Sequence, residues 1–351
     1  MDSNNHKAFL ELVRAGLWEQ EVRLSQNEEI DFSTVFNLAE QQAVTGLVAA
    51  GLEHLNGVKV PQEILLTFVG SALQIEQRNK AMNLFLANLI EKLRKNDIYT
   101  LLVKGQGIAQ CYERPLWRAS GDIDLLLSVE NFKNAKKYLV PLSNGQKPEC
   151  NYSKELGLYF GSWLVELHGT LRTGLSSRVD KVIETVQNDV FYGGNVRSWK
   201  NESTQIFIPE IDDDVFFVFT HFLKHFYKEG GVTIRQICDW CRLSWKYQST
   251  VKLDLLKSRL KKAGLISEWR AFAALAVDYL GMPKDSMPLY SQEKKWSDKA
   301  ELILTFILKG GEWKKVKDTI VVGKIFPKST LRFLPGIVLN VNWLKIKERL
   351  F

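Results

Sequence analysis

The residues best suited to chemistry are two acids separated by a single residue, Asp122 and Asp124. They open an apolar stretch, residues 122–127, whose composition predicts a β-strand. Because side chains alternate across a strand, we expect both carboxylates on one face and Ile123 on the other. Two carboxylates about 6–7 Å apart along one strand repel each other unless a cation neutralises them. The pair therefore predicts a metal site.

The segment that precedes the acids has the pattern of a small strand–turn–helix unit. Residues 101–103 form an apolar run, and Lys104-Gly105 breaks it. Residues 108–112 favour a short helix, and residues 114–121 are polar and irregular. We therefore expect a strand, a turn, a helix and a loop that leads into the strand of the acids.

A third acid, Glu166, lies on the second strand of a hairpin predicted for residues 153–171. Alternation along that strand places Glu166 and His168 on one face. Two Mg²⁺ ions need a cluster of carboxylate oxygens, which two acids from one strand and a third from another can supply. Such a centre can orient a nucleoside triphosphate and activate an acceptor hydroxyl for attack on its α-phosphorus. His168 can equally be a satisfied polar residue at a strand end.

A cationic stripe marks the helix predicted for residues 214–228. Phenylalanines and aliphatic residues fill the opposite side of this helix. The stripe consists of His221, Lys224, His225 and Lys228. The two histidines have the spacing of a zinc pair, but the sequence offers no third ligand, so we do not predict zinc. A solvated face is the plain interpretation, whereas two histidines beside two lysines suit a polyanion in a cleft.

Taken in order, these residues resemble the motifs of the DNA polymerase beta-like nucleotidyltransferase superfamily. The resemblance is closest to a bacterial branch labelled uncharacterised nucleotidyltransferases, and it covers about residues 35–245. Each motif is weak alone, and the specificity lies in their order. The motifs are Lys104-Gly105, Arg118, Gly121-Asp122-Ile123-Asp124, Glu166-Leu167-His168, His221-Phe222-Leu223-Lys224-His225, and Arg235 with Asp239.

The resemblance implies a role for each matching residue. Asp122 and Asp124 would bind the metal ions, and Glu166 would be a third ligand or the general base. Arg118 would contact phosphate or steady the acids, and Asp239 would fix Lys224 over the nucleotide. Nucleotide contacts are implied for Lys104, Gly105, Gln106, Arg118, Lys224, His225 and Asp239, and His168 and His221 are further candidates. From the residues alone, Lys104 can be a surface lysine at a turn, and Arg235 with Asp239 only a helix ion pair.

The implied activity is Mg²⁺-dependent transfer of a nucleoside monophosphate from a nucleoside triphosphate to an unknown acceptor, with release of pyrophosphate. The acceptor would be a sugar, another small molecule or a macromolecule. One alternative is a toxin-type nucleotidyltransferase that acts on tRNA or protein, and another is a nucleotide-binding protein without catalysis. Two departures from the family pattern bear on this choice. Gly105-Gln106 replaces the usual Gly-Ser or Gly-Gly turn, which favours the non-catalytic alternative, and the third acid is Glu rather than Asp.

The net charge of +7 belongs to the C-terminal segment. Residues 309–351 hold ten of the 47 basic residues and three of the 40 acidic residues, so the rest of the chain is neutral. Because proteins that grip nucleic acid usually have a basic face, we expect no DNA partner, and tRNA is disfavoured. The tail mixes basic, aliphatic and aromatic residues. That composition suits peripheral membrane contact, with a poorly ordered or core-docked C-terminus as the alternative.

Four cysteines without framework spacing and an N-terminal segment without an apolar signal region predict a cytoplasmic protein. Cys238 and Cys241 lie in a helical, aromatic context and fit core packing better than metal binding. We predict an α+β fold in which a small mixed β-sheet bears the site and the nucleotide lies between this sheet and a helical domain. The predicted units are an N-terminal helical region (1–97), the nucleotidyltransferase-like α/β core (98–210), a C-terminal helical domain (211–309) and a basic amphipathic tail (310–351).

Overall fold

The fold is mainly helical. The structure, a computed structural model, describes residues 4–25, 29–150, 152–194, 196–228, 231–309 and 315–335. Its helices are α1 (Asn4–Trp18), α2 (Phe32–Gln41), α3 (Thr45–Glu53), α4 (Gln62–Arg94), α5 (Gly105–Ala109), α6 (Val129–Leu139), α7 (Ser177–Tyr192), α8 (Ile211–Lys228), α9 (Ile234–Lys246), α10 (Leu253–Ala263), α11 (Ile266–Asp278), α12 (Lys294–Leu308) and α13 (Lys315–Ile325).

Five strands form the central mixed sheet, in the order β3-β4-β7-β6-β5. The strands of the chain are β1 (Val22–Arg23), β2 (Leu55–Asn56), β3 (Leu101–Val103), β4 (Asp122–Leu126), β5 (Gly145–Gln146), β6 (Glu155–Phe160), β7 (Trp163–His168), β8 (Val196–Asn201) and β9 (Thr204–Pro209). In the central sheet β4 and β7 are parallel, and the other neighbours are antiparallel. The remaining strands form two small pairs, parallel β1–β2 and antiparallel β8–β9.

The register of the sheet brings the acids of two distant segments together. Asp124 on β4 lies opposite Glu166 on β7, and His168 on β7 lies opposite Glu155 on β6. Because side chains of paired residues lie on the same face, these four residues share one face of the sheet.

The other face of the sheet is apolar and buried. Ile123, Leu125 and Leu127 pack there with Val165 and Leu167, and with apolar residues of α4 and α6. The β8–β9 hairpin also contacts α4, where the Asn201 side chain donates to the Asn83 carbonyl oxygen at 2.7 Å. Packing of this apolar face fixes the strands in place and thereby positions the polar side chains on the opposite face of the sheet.

The N-terminal and C-terminal helices contribute to one shared hydrophobic core, which the sequence did not predict. The Trp18 indole donates to the Leu280 carbonyl oxygen at 2.6 Å, and Arg242 donates to the Leu17 carbonyl oxygen at 3.1 Å. Helices α1 and α3 cross so closely that a Cβ on Gly16 would lie 1.9 Å from the Leu47 carbonyl oxygen. The helical regions before and after the sheet are therefore packed against each other.

The sequence predicted the α+β class correctly, together with most elements. The Asp31-Phe32-Ser33 segment predicts the start of a helix, and Asp31 does cap α2, because its side chain accepts from the Ser33 amide at 2.9 Å. The sequence also predicts that this helix continues to about residue 55, and that prediction is wrong. The chain forms α2 and α3 instead and turns between them at Ala43, whose φ is +54°. The sequence predicts a loop for residues 141–152, but this segment contains the short strand β5.

No described helix is long and apolar enough to cross a membrane. The predicted basic tail lies in large part outside the described residues, since residues 310–314 and 336–351 are not described. The division into units at residues 97, 210 and 309 stays a prediction.

Candidate active site

The two acids of β4 occupy different environments on the polar face. Asp124 is 2% exposed, whereas Asp122 at the start of the strand is half-buried. The charge of Asp124, followed by burial, raises the pKa of the Asp122 carboxyl above its ordinary value. Burial alone would raise the pKa of Asp124 too, but Lys104 and His168 lower it below the ordinary range. Asp124 is therefore the more acidic carboxyl of the pair, and the neighbouring cations stabilise its charge.

Lys104 supplies the nearest cation from a strained backbone position. It follows β3 with φ 61° and ψ −150°, a backbone conformation that residues other than glycine rarely adopt. Its Nζ lies 2.8 Å from Asp124 Oδ1 and 3.0 Å from His221 Nε2. Burial lowers the pKa of this ammonium, but Asp124 and Asp122 raise it more, so the net shift is upward. Lys104 is therefore an ion-pair partner inside the site and not a surface lysine.

His221 reaches this ammonium from α8. Burial, then the charge of Lys104, lowers the pKa of His221 well below its ordinary value, so the imidazole is neutral. A lysine ammonium has no acceptor, hence Nε2 of His221 carries the lone pair that accepts from Nζ. Its ring centroid lies 4.7 Å from that of His225. The sheet and α8 meet at this contact.

Glu166 and His168 complete the polar cluster on β7. His168 Nε2 lies 2.8 Å from Asp124 Oδ1 and 3.9 Å from Glu166 Oε2. One ligand atom from each of Asp124, Glu166 and His168 falls within 4.8 Å of the others, a spacing suited to one metal ion. Lys147 balances Glu166 from the segment around β5, with Nζ 2.8 Å from Glu166 Oε1.

A buried bidentate ion pair joins the loop before β4 to α9. Arg118 Nε and Nη2 donate to the two carboxylate oxygens of Asp239 at 2.8 and 2.6 Å. The Tyr112 hydroxyl donates to the same carboxylate at 2.7 Å. The third guanidinium nitrogen, Nη1, donates to Ser120 Oγ at 2.9 Å and to the Ala119 carbonyl oxygen at 3.2 Å. We refer to the Arg118–Asp239 pair as the clamp.

A cavity of about 130 Å³ lies between the acids and helices α8 and α9. Its lining combines Asp122 and Asp124 with cationic and imidazole side chains, namely Lys104, Arg118, His221, His225 and Arg235. Nε of Arg235 is buried and has no hydrogen-bond partner among the described residues. Burial, and then the charge of Arg118, lowers the pKa of Arg235. A buried guanidinium with an unused hydrogen-bond donor suits an anionic ligand.

Residues 28–281 match the family model described as uncharacterised nucleotidyltransferase. The match spans well over half of the 351 residues. The chain belongs to this family. No curated protein and no solved structure matches it. Within the uncharacterised nucleotidyltransferase family, the site of this chain must therefore be interpreted from its own geometry.

Among the residues assigned by resemblance, Gln106, Asp239 and Lys224 have surroundings that the sequence did not indicate. Gln106 is 2% exposed, and its side chain bonds to Asn83 at 2.7 Å and accepts from the Ser120 hydroxyl at 2.7 Å. Gln106 therefore does not line the cavity between the acids and helices α8 and α9, whereas its neighbour Gly105, with φ +45°, does. The Asp239 carboxylate binds Arg118, whereas the resemblance had it fix Lys224. Lys224 Nζ lies 3.9 Å from a Glu155 carboxylate oxygen.

Sequence reasoning overlooked Lys147 and Glu155 and gave Arg235 no place in the site. Glu155 can be derived from the alternation of β6 only once its pairing with β7 is known. Lys147 lies in a segment predicted as a loop, and nothing local to it indicates a partner nineteen residues away. The Cys238 and Cys241 thiols are buried in the core, as predicted.

Proposed function

We propose that this chain is a divalent-metal-dependent nucleotidyltransferase that moves a nucleoside monophosphate from a nucleoside triphosphate to an acceptor hydroxyl. The observation that supports it best is the juxtaposition of a carboxylate cluster with a cavity lined by cations. Metal ions would be held by Asp122, Asp124 and Glu166, with Mg²⁺ as the expected ion and a second ion expected beside the first. Carboxylate oxygens are the ligands that Mg²⁺ prefers.

In the proposed reaction the acceptor oxygen bonds to the α-phosphorus while the bond from that phosphorus to the bridging α–β oxygen breaks. Pyrophosphate leaves with the bonding electron pair, and the hydroxyl proton passes to a carboxylate of the cluster, with Glu166 as the candidate base. When bound, the metal ions supply charge stabilisation to the phosphates and the attacking oxygen.

The cations of the cavity would hold the phosphates. Arg235 offers an unpaired buried Nε, and Lys104 and His225 line the same space. A cavity of about 130 Å³ is smaller than most small-molecule sites, which measure roughly 300–1,000 Å³. We infer that it takes the triphosphate, with the ribose and base at its mouth.

The structure bears on the two rival functions. A larger groove of about 580 Å³ between α7 and α10 is lined by several basic residues, which a tRNA acceptor would need. However, its two arginines are engaged within the protein. Arg178 donates to the Lys261 and Lys262 carbonyl oxygens, and Arg259 bonds to Asp213 and Asp189. A non-catalytic nucleotide-binding protein would bind nucleotide with metal but release no pyrophosphate.

Incubation with each α-labelled nucleoside triphosphate, Mg²⁺ or Mn²⁺ and cell extract tests the proposal. Wild type is expected to transfer label and release pyrophosphate, and the Asp122→Ala/Asp124→Ala variant to lose at least about 100-fold of the rate. Glu130→Gln, an exposed acid at the first turn of α6, is the control and should retain full rate. Transfer that survives the double substitution would show that the site is misassigned. Metal-dependent binding without pyrophosphate release would favour the non-catalytic alternative.

A further inference from the structure

His168 is placed as a metal ligand would be, at the end of β7 and among three carboxylates. Its side chain is 12% exposed. Nε2 faces Asp124 and Glu166, at 2.8 and 3.9 Å, while Nδ1 lies 4.0 Å from a Glu155 carboxylate oxygen. An imidazole that merely satisfied one hydrogen bond at a strand end would not need carboxylates at both nitrogens.

The spacing of the ligand atoms fits a single ion. Ligand atoms at right angles around an ion with bonds of about 2.1 Å are about 3.0 Å apart. The separation of Asp124 Oδ1 and His168 Nε2 is 2.8 Å, and that of His168 Nε2 and Glu166 Oε2 is 3.9 Å. Small rotations of the two β7 side chains therefore bring three ligand atoms around one ion.

Glu155 is placed to provide the outer contact that a metal-binding histidine usually has, with its carboxylate oxygen 4.0 Å from Nδ1, just beyond hydrogen-bond distance. Ligating histidines usually donate their other ring N–H to a carboxylate, which orients the ring and selects the tautomer. With a metal on Nε2, the proton of His168 lies on Nδ1 and points towards Glu155. Glu155 is itself held on β6 directly opposite His168 and lies 3.9 Å from Lys224. The outer carboxylate is thus supplied by the neighbouring strand.

We propose that His168 is a ligand of the metal ion at Asp124 and Glu166, and that this ligand makes the site bind Mn²⁺ more tightly than Mg²⁺. The proposal deepens the proposed function and rests on the carboxylate cluster being its metal site. Mg²⁺ favours all-oxygen ligands and retains several waters, whereas imidazole suits first-row transition ions. A set of two carboxylates and one imidazole consequently favours Mn²⁺.

Mn²⁺ binding to the full chain without nucleotide tests this directly. Electron paramagnetic resonance of the free ion gives the affinity, competition with Mg²⁺ gives the preference, and pulsed measurements detect ¹⁴N coupling from a bound imidazole. For wild type we expect coupling to one imidazole nitrogen and an affinity for Mn²⁺ at least about tenfold above that for Mg²⁺. His168→Asn should abolish the coupling and lower Mn²⁺ affinity at least about tenfold, while Mg²⁺ affinity changes by less than about threefold.

His54→Asn is the matched control, because His54 Nε2 also lies close to a carboxylate, 2.7 Å from Glu19, but outside the cluster. It should leave Mn²⁺ binding and the ¹⁴N coupling unchanged. Bound Mn²⁺ without nitrogen coupling would overturn the role of His168 and leave the carboxylate site of the proposed function intact. Failure of wild type to bind Mn²⁺ at all would overturn the metal site itself. An unchanged Mn²⁺/Mg²⁺ ratio in His168→Asn would overturn the preference.

Discussion

Lys104 is the position at which backbone geometry and charge oppose each other, and two substitutions separate these effects. Its φ of 61° with ψ of −150° is a conformation that glycine adopts with far less strain. Its side chain is 15% exposed, and its ammonium contacts Asp124 and His221. Lys104→Ala removes the charge and retains the strain, whereas Lys104→Gly removes both.

The two effects differ in size. Removal of one partner of a buried ion pair costs about 3–5 kcal/mol, because the remaining charge is left uncompensated. Backbone strain of this kind costs about 1–3 kcal/mol, and glycine would relieve it. Glycine itself costs roughly 0.5–1 kcal/mol, because it has more conformational freedom to lose from the unfolded chain. We therefore expect Lys104→Ala to lower the free energy of unfolding by about 3 kcal/mol or more. Lys104→Gly should be about 1 kcal/mol more stable than Lys104→Ala.

Divalent ions provide a second readout of the same contact. In the wild type, an ion that binds Asp124 competes with the ammonium of Lys104 for Oδ1. In Lys104→Ala no ammonium competes, and the ion replaces the missing positive charge. Because binding to the folded state raises stability by mass action, Mn²⁺ should stabilise Lys104→Ala more than the wild type.

Urea denaturation followed by tryptophan fluorescence, with and without Mn²⁺, measures both effects. Lys133→Ala serves as the control, since Lys133 is an exposed lysine on α6 and its loss should change stability by less than about 0.5 kcal/mol. If Lys104→Ala is as stable as wild type, the buried ion pair does not contribute the predicted free energy of unfolding. If Lys104→Gly is no more stable than Lys104→Ala, the strain argument fails.

Two further predictions concern buried charged groups, one at the clamp and one in the helical core. Arg118→Met should lower the free energy of unfolding by about 3–5 kcal/mol, because Asp239 is left buried without its partner, and Arg118→Met/Asp239→Leu should recover most of that loss. Urea denaturation of the wild type, the two single variants and the double variant measures both effects. If the loss in the double variant equals the sum of the losses from the two single substitutions, the predicted role of the clamp is contradicted. Glu268 is 0% exposed, and burial raises the pKa of its carboxyl above the ordinary 4.5. The folded state therefore holds this proton more tightly than the unfolded state, so stability falls as the pH rises from about 4.5 through the raised pKa. Glu268→Gln should lose that dependence, and an unchanged pH profile of unfolding would contradict it.

Local pattern predicted one half of the site well. Alternation alone placed Asp122 and Asp124 on one face of β4, and Glu166 and His168 on one face of β7, as the structure shows. The alternation depends only on neighbouring residues, which is why a single sequence suffices. The amphipathic pattern of α8 likewise predicted that His221 and His225 lie on its polar side, and both line the cavity.

Contacts between distant segments could not be derived in this way. The parallel pairing that sets Asp124 beside Glu166 depends on the crossover through α6, and no residue on either strand encodes it locally. Spacing of four along α9 suggested that Arg235 pairs with Asp239. The carboxylate is taken instead by Arg118, 121 residues earlier in the chain. Arg118 makes two parallel hydrogen bonds to this carboxylate, the geometry that favours guanidinium–carboxylate pairs.

The clamp bears on where the nucleotide of the proposed function would enter. Arg118 is four residues before Asp122, so the start of β4 is tied to α9 through a buried bidentate pair. Separation of α9 from this loop would cost about 3–5 kcal/mol, whereas the contact of α8 with the sheet at Lys104 and His221 is a single hydrogen bond of about 1 kcal/mol. Of these two polar contacts, the one between Lys104 and His221 is therefore the easier to break. Under the proposed function, a triphosphate that reaches this contact would offer the Lys104 ammonium a new anionic partner and would free the Asp124 oxygen for the metal ion.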